Sequence, residues 1–143
     1  MKSPRLTRTP ALTAPPTILV VDDDASLRGT LDSVLGGLGY RVLSVGRAES
    51  AYDLCESSPP DAALLDVRLP DMSGQALYHA LLHRHPHLDG RMAIISADVY
   101  ADDVRGWVEA QHCAAFGKPF RPDAIIEWLS AVLETRGSKA ARG

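Results

Sequence analysis

Residues 18 to 24 read Ile-Leu-Val-Val-Asp-Asp-Asp, a short apolar run that ends in three consecutive carboxylates. Both alternating sets of side chains in this run are apolar, which predicts a strand covered on both faces. Strands of this kind are typical of parallel sheets, where helices pack on each side. The acids therefore mark the carboxyl end of a strand, the edge at which such sheets bind their ligands.

The same alternation of apolar runs and amphipathic stretches continues along the chain. Further strands are predicted at 42–45, 62–65, 92–95 and 114–117, and helices over 27–38, 48–57, about 74–84, 101–112 and from Pro122 onward. Gly39 is placed to end the first helix, and Pro122 suits the first turn of the last. Five strand–helix units predict an α/β fold, a doubly wound five-stranded parallel sheet with five helices of the flavodoxin-like type.

The length of 143 residues suits one folded domain and is too short for two. We place this domain at 17–135. Residues 1–16 contain four prolines, which neither a helix interior nor a central strand accommodates, so we expect a flexible tail. Residues 136–143 contain two glycines and three bases, and we expect a second, basic flexible tail there.

The composition argues against several classes of protein. No apolar run approaches the roughly 20 residues of a transmembrane helix, and none follows the basic N-terminus as a secretory signal would require. Cys55 and Cys113 lie far apart, which argues against a disulfide framework or a thiolate metal site and suits a reducing cytoplasm. Residues 18–135 carry 18 acids against nine bases, which disfavours direct binding of DNA.

Chemically active side chains follow four of the predicted strands. Asp22, Asp23 and Asp24 end the first, Asp66 ends the third, Ser96 ends the fourth, and Lys118 follows the fifth. Carboxylates gathered at one sheet edge repel each other, and a hard cation usually relieves this repulsion. Mg²⁺, which takes one or two direct carboxylates and keeps several waters, matches the ligands available here. Of the nine bases in this region Lys118 is the only lysine, which suggests a specific use for a compact point charge.

Four motifs in register resemble the receiver domain of bacterial response regulators. They are Ile-Leu-Val-Val-Asp-Asp-Asp at 18–24, Leu-Leu-Asp-Val-Arg-Leu-Pro-Asp-Met-Ser-Gly at 64–74, Ile-Ile-Ser-Ala at 94–97 and Lys-Pro-Phe at 118–120. The resemblance covers about residues 17–135. With no output domain following it, the chain is similar to a stand-alone receiver of the chemotaxis-regulator type.

The resemblance implies a role for each residue of the site. Asp66 would be the phosphoacceptor, and Ser96 and Lys118 would contact the phosphoryl oxygens. Mg²⁺ would be bound by Asp22, Asp23, Asp66 and the backbone carbonyl of Arg68. Phosphoryl transfer depends mainly on positioning and on neutralising the equatorial oxygens, which a metal, a hydroxyl and an ammonium supply together.

The resemblance also implies partners and a cellular role. The phosphoryl donor would be the phosphohistidine of a sensor kinase or of a histidine phosphotransfer protein, and the signal would pass to an unidentified target protein in the cytoplasm. A homodimer that forms on phosphorylation is compatible with this role. Such a domain is not an enzyme in the ordinary sense, since it catalyses only its own phosphotransfer and dephosphorylation.

Two other functions are compatible with parts of the sequence. Asp22-x-Asp24 after a strand resembles the nucleophile motif of haloacid-dehalogenase-type phosphatases, and a degenerate receiver could act as a scaffold without being phosphorylated. The histidines at 79, 83, 85 and 87 are interpreted as a polar helix end, since no carboxylate is interleaved with them.

Ala115 is a departure from the family pattern. The family usually has Tyr or Phe at this position, three residues before the lysine, and Phe116 should face the opposite side of the strand. The usual coupling between hydroxyl and aromatic side chain is therefore in doubt.

Two further expectations concern the edges of the site: a cis bond between Lys118 and Pro119, implied by the resemblance, and an ion pair across its mouth between Arg68 and Asp98.

Overall fold

The computed structural model describes residues 14–98 and 101–142. The strands are β1 Thr17–Val21, β2 Arg41–Val45, β3 Ala62–Asp66, β4 Met92–Ser96 and β5 Ala114–Gly117. The helices are α1 Ala25–Gly37, α2 Ala48–Ser57, α3 Gly74–Arg84, α4 Asp102–Gln111 and α5 Pro122–Arg142, with a short 3-10 helix at Pro86–Leu88. All strand pairs are parallel and the strand order is β2-β1-β3-β4-β5, which confirms the predicted fold class.

The sheet separates two apolar cores, because alternate side chains of each strand point to opposite faces. Leu19 and Val21 of β1 pack with residues of α2, α3 and α4, among them Leu77. Ile18 and Val20 pack with residues of α1 and α5, among them Leu31 and Ile125. β1, β3 and β4 are buried throughout, so the edge where they end is held rigidly from both sides.

The element boundaries agree closely with the prediction, and the main difference is at the last helix. α1 ends where Gly39 was expected to stop it, and Gly39 has the left-handed φ of +97° that favours glycine. α5 continues to Arg142, past the predicted boundary at 135, because the alanines and basic residues near its end are strong helix formers. Of the predicted N-terminal tail, residues 1–13 lie outside the described part of the chain.

Within the described residues, no helix has the length and hydrophobicity that a membrane span requires. Residues 14–16 form neither helix nor strand, and the carbonyl of Pro16 accepts a hydrogen bond of 2.9 Å from Arg41 N–H at the start of β2. The chain is therefore attached to the sheet from Pro16 onward.

Candidate functional site

The loop after β1 places two acids at the carboxyl edge of the sheet and uses the third for structure. Asp22 is completely buried; its N–H donates to Val45 O at 3.1 Å, and its Oδ1 accepts from Asp24 N at 2.9 Å. Asp23 is exposed. The Asp24 carboxylate caps α1 by accepting hydrogen bonds from the second and third residues after it, at 2.9 and 3.2 Å.

Asp66 ends the central strand β3 beside these acids and is only 5% exposed. One carboxylate oxygen each from Asp22, Asp23 and Asp66 lie within 4.8 Å of one another. Burial, and after it the charge of Asp22, raise the pKa of Asp66 above its ordinary value, against the opposing effect of the Arg68 N–H and Lys118.

Lys118 brings a positive charge into this group of acids. Its Nζ lies 2.8 Å from Asp22 Oδ2 and 3.5 Å from Asp66 Oδ2. Burial by itself would lower the pKa of Lys118, but the contacts with the two carboxylates outweigh it and raise the pKa above its ordinary value. The Lys118–Pro119 bond is cis, as expected, and Lys118 N–H donates to Ser96 O at 2.8 Å.

These residues fit a hard divalent cation. Three carboxylates face one ammonium, which leaves two negative charges uncompensated in a site that is largely withdrawn from water. Oxygen ligands with this excess of negative charge are the donor set that Mg²⁺ prefers. Asp22, Asp23 and Asp66 are the residues that would hold the metal. Among the described residues, no other set of three or more His, Cys, Asp or Glu comes together closely enough to do so.

Ser96 and Arg68 both lie close to Asp66. Ser96 ends β4 at 5% exposure, directly after the residue that pairs with Asp66, and its Oγ accepts from Asp98 N at 3.1 Å. The Arg68 N–H donates to Asp66 Oδ1 at 3.3 Å, which places the start of the loop after β3 beside the acid. Both residues line a depression of about 410 Å³ that also includes Asp98 on its rim.

The loop after β3 folds back closely on Asp66, and glycine at its end is what allows this. The Gly74 N–H donates to Val67 O at 2.8 Å, and Arg68 forms an antiparallel bridge with Ser73. A Cβ on Gly74 would lie 2.8 Å from the Asp66 carbonyl carbon and 2.9 Å from Val67 Cα, closer than side chains approach a backbone. The sequence predicts the turn, but not this contact.

Sequence reasoning also missed Arg28, which supports Asp22 from α1. One guanidinium nitrogen, NH1, donates to Asp22 O at 2.7 Å. The same nitrogen lies 3.1 Å from where a Cβ of Gly46 would be, so a glycine there leaves room for it. An arginine about one turn into a helix is ordinary in sequence, and the contact is evident only from the fold, which places Gly46, in the loop between β2 and α2, beside Arg28 of α1.

The position of Ala115 agrees with the expected departure from the family pattern. Ala115 packs on the core shared with α2, α3 and α4, whereas Phe116 packs on the opposite core, with its ring 6.0 Å from that of Trp128. Phe116 therefore does not replace the missing aromatic residue. On the Ala115 side, Trp107 of α4 packs edge-on against Tyr78 of α3 at 4.9 Å.

Three of the four histidines have structural partners, in line with their interpretation as a polar helix end. His79 Nε2 lies 3.1 Å from Trp107 Nε1, which donates to it, and His87 Nε2 lies 2.8 Å from Pro60 O. His85 Nε2 lies 3.1 Å from a carboxylate oxygen of Glu56. These contacts join α3 and the short 3-10 helix to neighbouring elements, and none of them involves the acids of the site.

Comparison with known proteins agrees with this geometry. The response regulator receiver domain family matches residues 18–130. The chain is 33% identical to the DNA-binding transcriptional regulator NtrC of Escherichia coli K12, over 76% of this chain and 23% of that protein. It is 31% identical to the phosphate regulon transcriptional regulatory protein PhoB of Pseudomonas aeruginosa, over 85% of this chain and 53% of that protein. The chain therefore spans about half or less of these relatives.

The fold is also found among solved structures. A CheY-like response regulator receiver domain protein from Methanospirillum hungatei superposes with a TM-score of 0.79, at 22% identity, over 87% of this chain and 98% of that one. Together with the family match over residues 18–130 and the acids, hydroxyl and lysine at the carboxyl edge of the sheet, this identifies the chain as a member of the response regulator receiver domain family, a family of signalling domains.

Proposed function

We propose that Asp66 accepts a phosphoryl group from the phosphohistidine of a sensor kinase or histidine phosphotransfer protein, in a reaction that requires Mg²⁺. The observation that carries this proposal is the position of Asp66, a buried carboxylate within 4.8 Å of two further acids and 3.5 Å from the ammonium of Lys118. Asp22, Asp23, Asp66 and the carbonyl of Arg68 would hold the metal, which when bound supplies positive charge to the transferred group.

The residues of the chain have distinct tasks in this reaction. An oxygen of Asp66 attacks the phosphorus, the phosphorus–nitrogen bond of the phosphohistidine breaks, and the imidazole leaves with the bonding electrons and takes up a proton. Lys118 and the hydroxyl of Ser96 contact the phosphoryl oxygens and neutralise the charge that spreads over them. Burial of Asp66 limits access of water to the acyl phosphate that results.

Phosphorylation would then alter or relay a signal to a target protein in the cytoplasm, without direct binding of DNA by this domain. With Ala115 in place of an aromatic residue, the change would pass through shifts of the backbone rather than through an aromatic rotamer. The phosphatase alternative has little support, because the Asp24 carboxylate that it needs is occupied in capping α1.

The test is phosphorylation of the full chain with a small phosphodonor and Mg²⁺, followed by mapping of the modified residue by mass spectrometry. We expect the modification on Asp66, its loss on chelation of the metal, and its loss in Asp66→Asn. Asp53→Asn, which removes an exposed acid on α2, is the control and should be modified normally. Undiminished modification of Asp66→Asn would show that Asp66 is not the acceptor.

A further inference from the structure

Asp71, in the loop after β3, caps a helix that is distant in sequence. Its Oδ1 accepts from Ala48 N and its Oδ2 accepts from Glu49 N, each at 2.9 Å. Arg47, the residue at the N-cap position of α2, makes no side-chain hydrogen bond to the helix. The first turn of α2 therefore takes its cap from the loop that begins at the phosphoacceptor strand.

The two hydrogen bonds keep the Asp71 carboxylate charged. They come from Glu49 N–H and Ala48 N–H at the positive end of α2, and they lower the pKa of Asp71 below its ordinary value. The cap is thus fully formed at neutral pH. Asp71, which accepts these hydrogen bonds, belongs to the loop that begins beside Asp66. In that loop Arg68 and Ser73 form a backbone bridge.

The other side of this contact leads back to Asp22. Residues 45–49, which we call the linking segment, join β2 to α2. Val45 O, at its start, accepts from Asp22 N at 3.1 Å. Gly46 lies against the Arg28 guanidinium that donates to Asp22 O at 2.7 Å. The linking segment therefore contacts the Asp22 half of the site at one end and, through Asp71, the Asp66 half at the other.

We propose that Asp71 is a positioning residue for the metal site, which fixes the loop after β3 relative to Asp22 through the linking segment. This inference rests on the proposed function, since it concerns the Mg²⁺ that Asp22, Asp23, Asp66 and Arg68 would bind. Without the cap, the loop samples arrangements in which Arg68 is displaced from Asp22, and only a fraction of the molecules is ready to bind. The apparent affinity for Mg²⁺ falls by that fraction.

The experiment is a calorimetric titration of the full chain with Mg²⁺, with no phosphodonor present. Asp71→Ala should weaken binding by about three- to tenfold, as expected when a helix cap is lost and the competent state becomes a minority. Asp71→Asn keeps one acceptor oxygen and should lie between Asp71→Ala and the wild type. Glu49→Gln also removes one negative charge at the first turn of α2 but keeps the backbone N–H that Asp71 binds, so its affinity should equal that of the wild type.

Urea unfolding of each variant separates positioning from stability. If Asp71→Ala is less stable but binds Mg²⁺ with wild-type affinity, Asp71 is only a helix cap and the inference is wrong. Equal weakening in Glu49→Gln would also overturn it, because the effect would then be one of net charge. If Asp71→Ala does not fold, Asp71→Asn decides by the same criteria. A wild-type chain that binds no Mg²⁺ refutes the proposed function itself, and the positioning role with it.

Discussion

Replacing Gly74 by alanine should destabilise the protein although alanine is the better helix former. The added Cβ would lie 2.8 Å from the Asp66 carbonyl carbon, 2.9 Å from Val67 Cα and closer still to the Asp66 carbonyl oxygen. All three atoms are backbone and cannot rotate away, so β3 and the start of α3 must separate. Overpacking of a well-packed site costs about 1–3 kcal/mol, and a contact this short with backbone atoms belongs at the upper end, about 3 kcal/mol.

A loss of about 3 kcal/mol is a large part of the 5–15 kcal/mol that stabilises a typical domain, and urea unfolding followed by circular dichroism would detect it readily. Gly29→Ala is the matched control. Gly29 lies within α1 and has nothing within 4 Å of the position of its Cβ, so alanine there should stabilise the protein by up to about 1 kcal/mol. If Gly74→Ala is as stable as the wild type, the steric argument fails.

Two further predictions concern the site itself. Because the pKa of Asp66 is raised in the folded protein, the charged form of Asp66 opposes folding above that pKa. Without Mg²⁺, Asp66→Asn should therefore be more stable than the wild type at pH 7. This gain in stability should shrink as the pH falls toward the ordinary pKa range of a carboxyl group. Urea unfolding at several pH values measures this, and a gain that grows on acidification would contradict it. Arg68 and Asp98 are exposed residues on the rim of one depression, and we expect them to pair across it. The rates of phosphate loss from Asp66 in Arg68→Ala, Asp98→Ala and the double variant should then be coupled. An exposed pair is worth about 0–1 kcal/mol, so the coupling should not exceed about fivefold, and strictly independent effects would exclude the pair.

The sequence predicts the sheet well because its strands are short, apolar and ended by polar residues. The predicted boundaries of β1, β3 and β4 agree with the observed ones to within a residue, because a strand buried on both faces needs an unbroken apolar run along its whole length. The predicted parallel sheet also brings Asp22, Asp66 and Lys118 to one edge, because the carboxyl ends of parallel strands all lie on the same side of the sheet. These parts of the fold follow from local pattern and topology.

Contacts between loops are not contained in such patterns. Asp71 is ordinary in a turn, and nothing near it in sequence indicates that it binds α2, 23 residues earlier. The room that Gly46 leaves for Arg28 depends on how two loops lie side by side. The continuation of α5 to Arg142 differs from the expected flexible tail for another reason: the strong helix formers after Gly137 outweigh the cost of one glycine in the helix.

The two cores on either side of the sheet give the protein a convenient optical property. The sequence contains two tryptophans, and each belongs to a different layer: Trp107 of α4 packs on one core and Trp128 of α5 on the other. In a Trp128→Phe variant the fluorescence comes from Trp107 and reports on the α2, α3 and α4 layer. In a Trp107→Phe variant it comes from Trp128 and reports on the α1 and α5 layer, so the two halves of the molecule can be followed separately without an added dye.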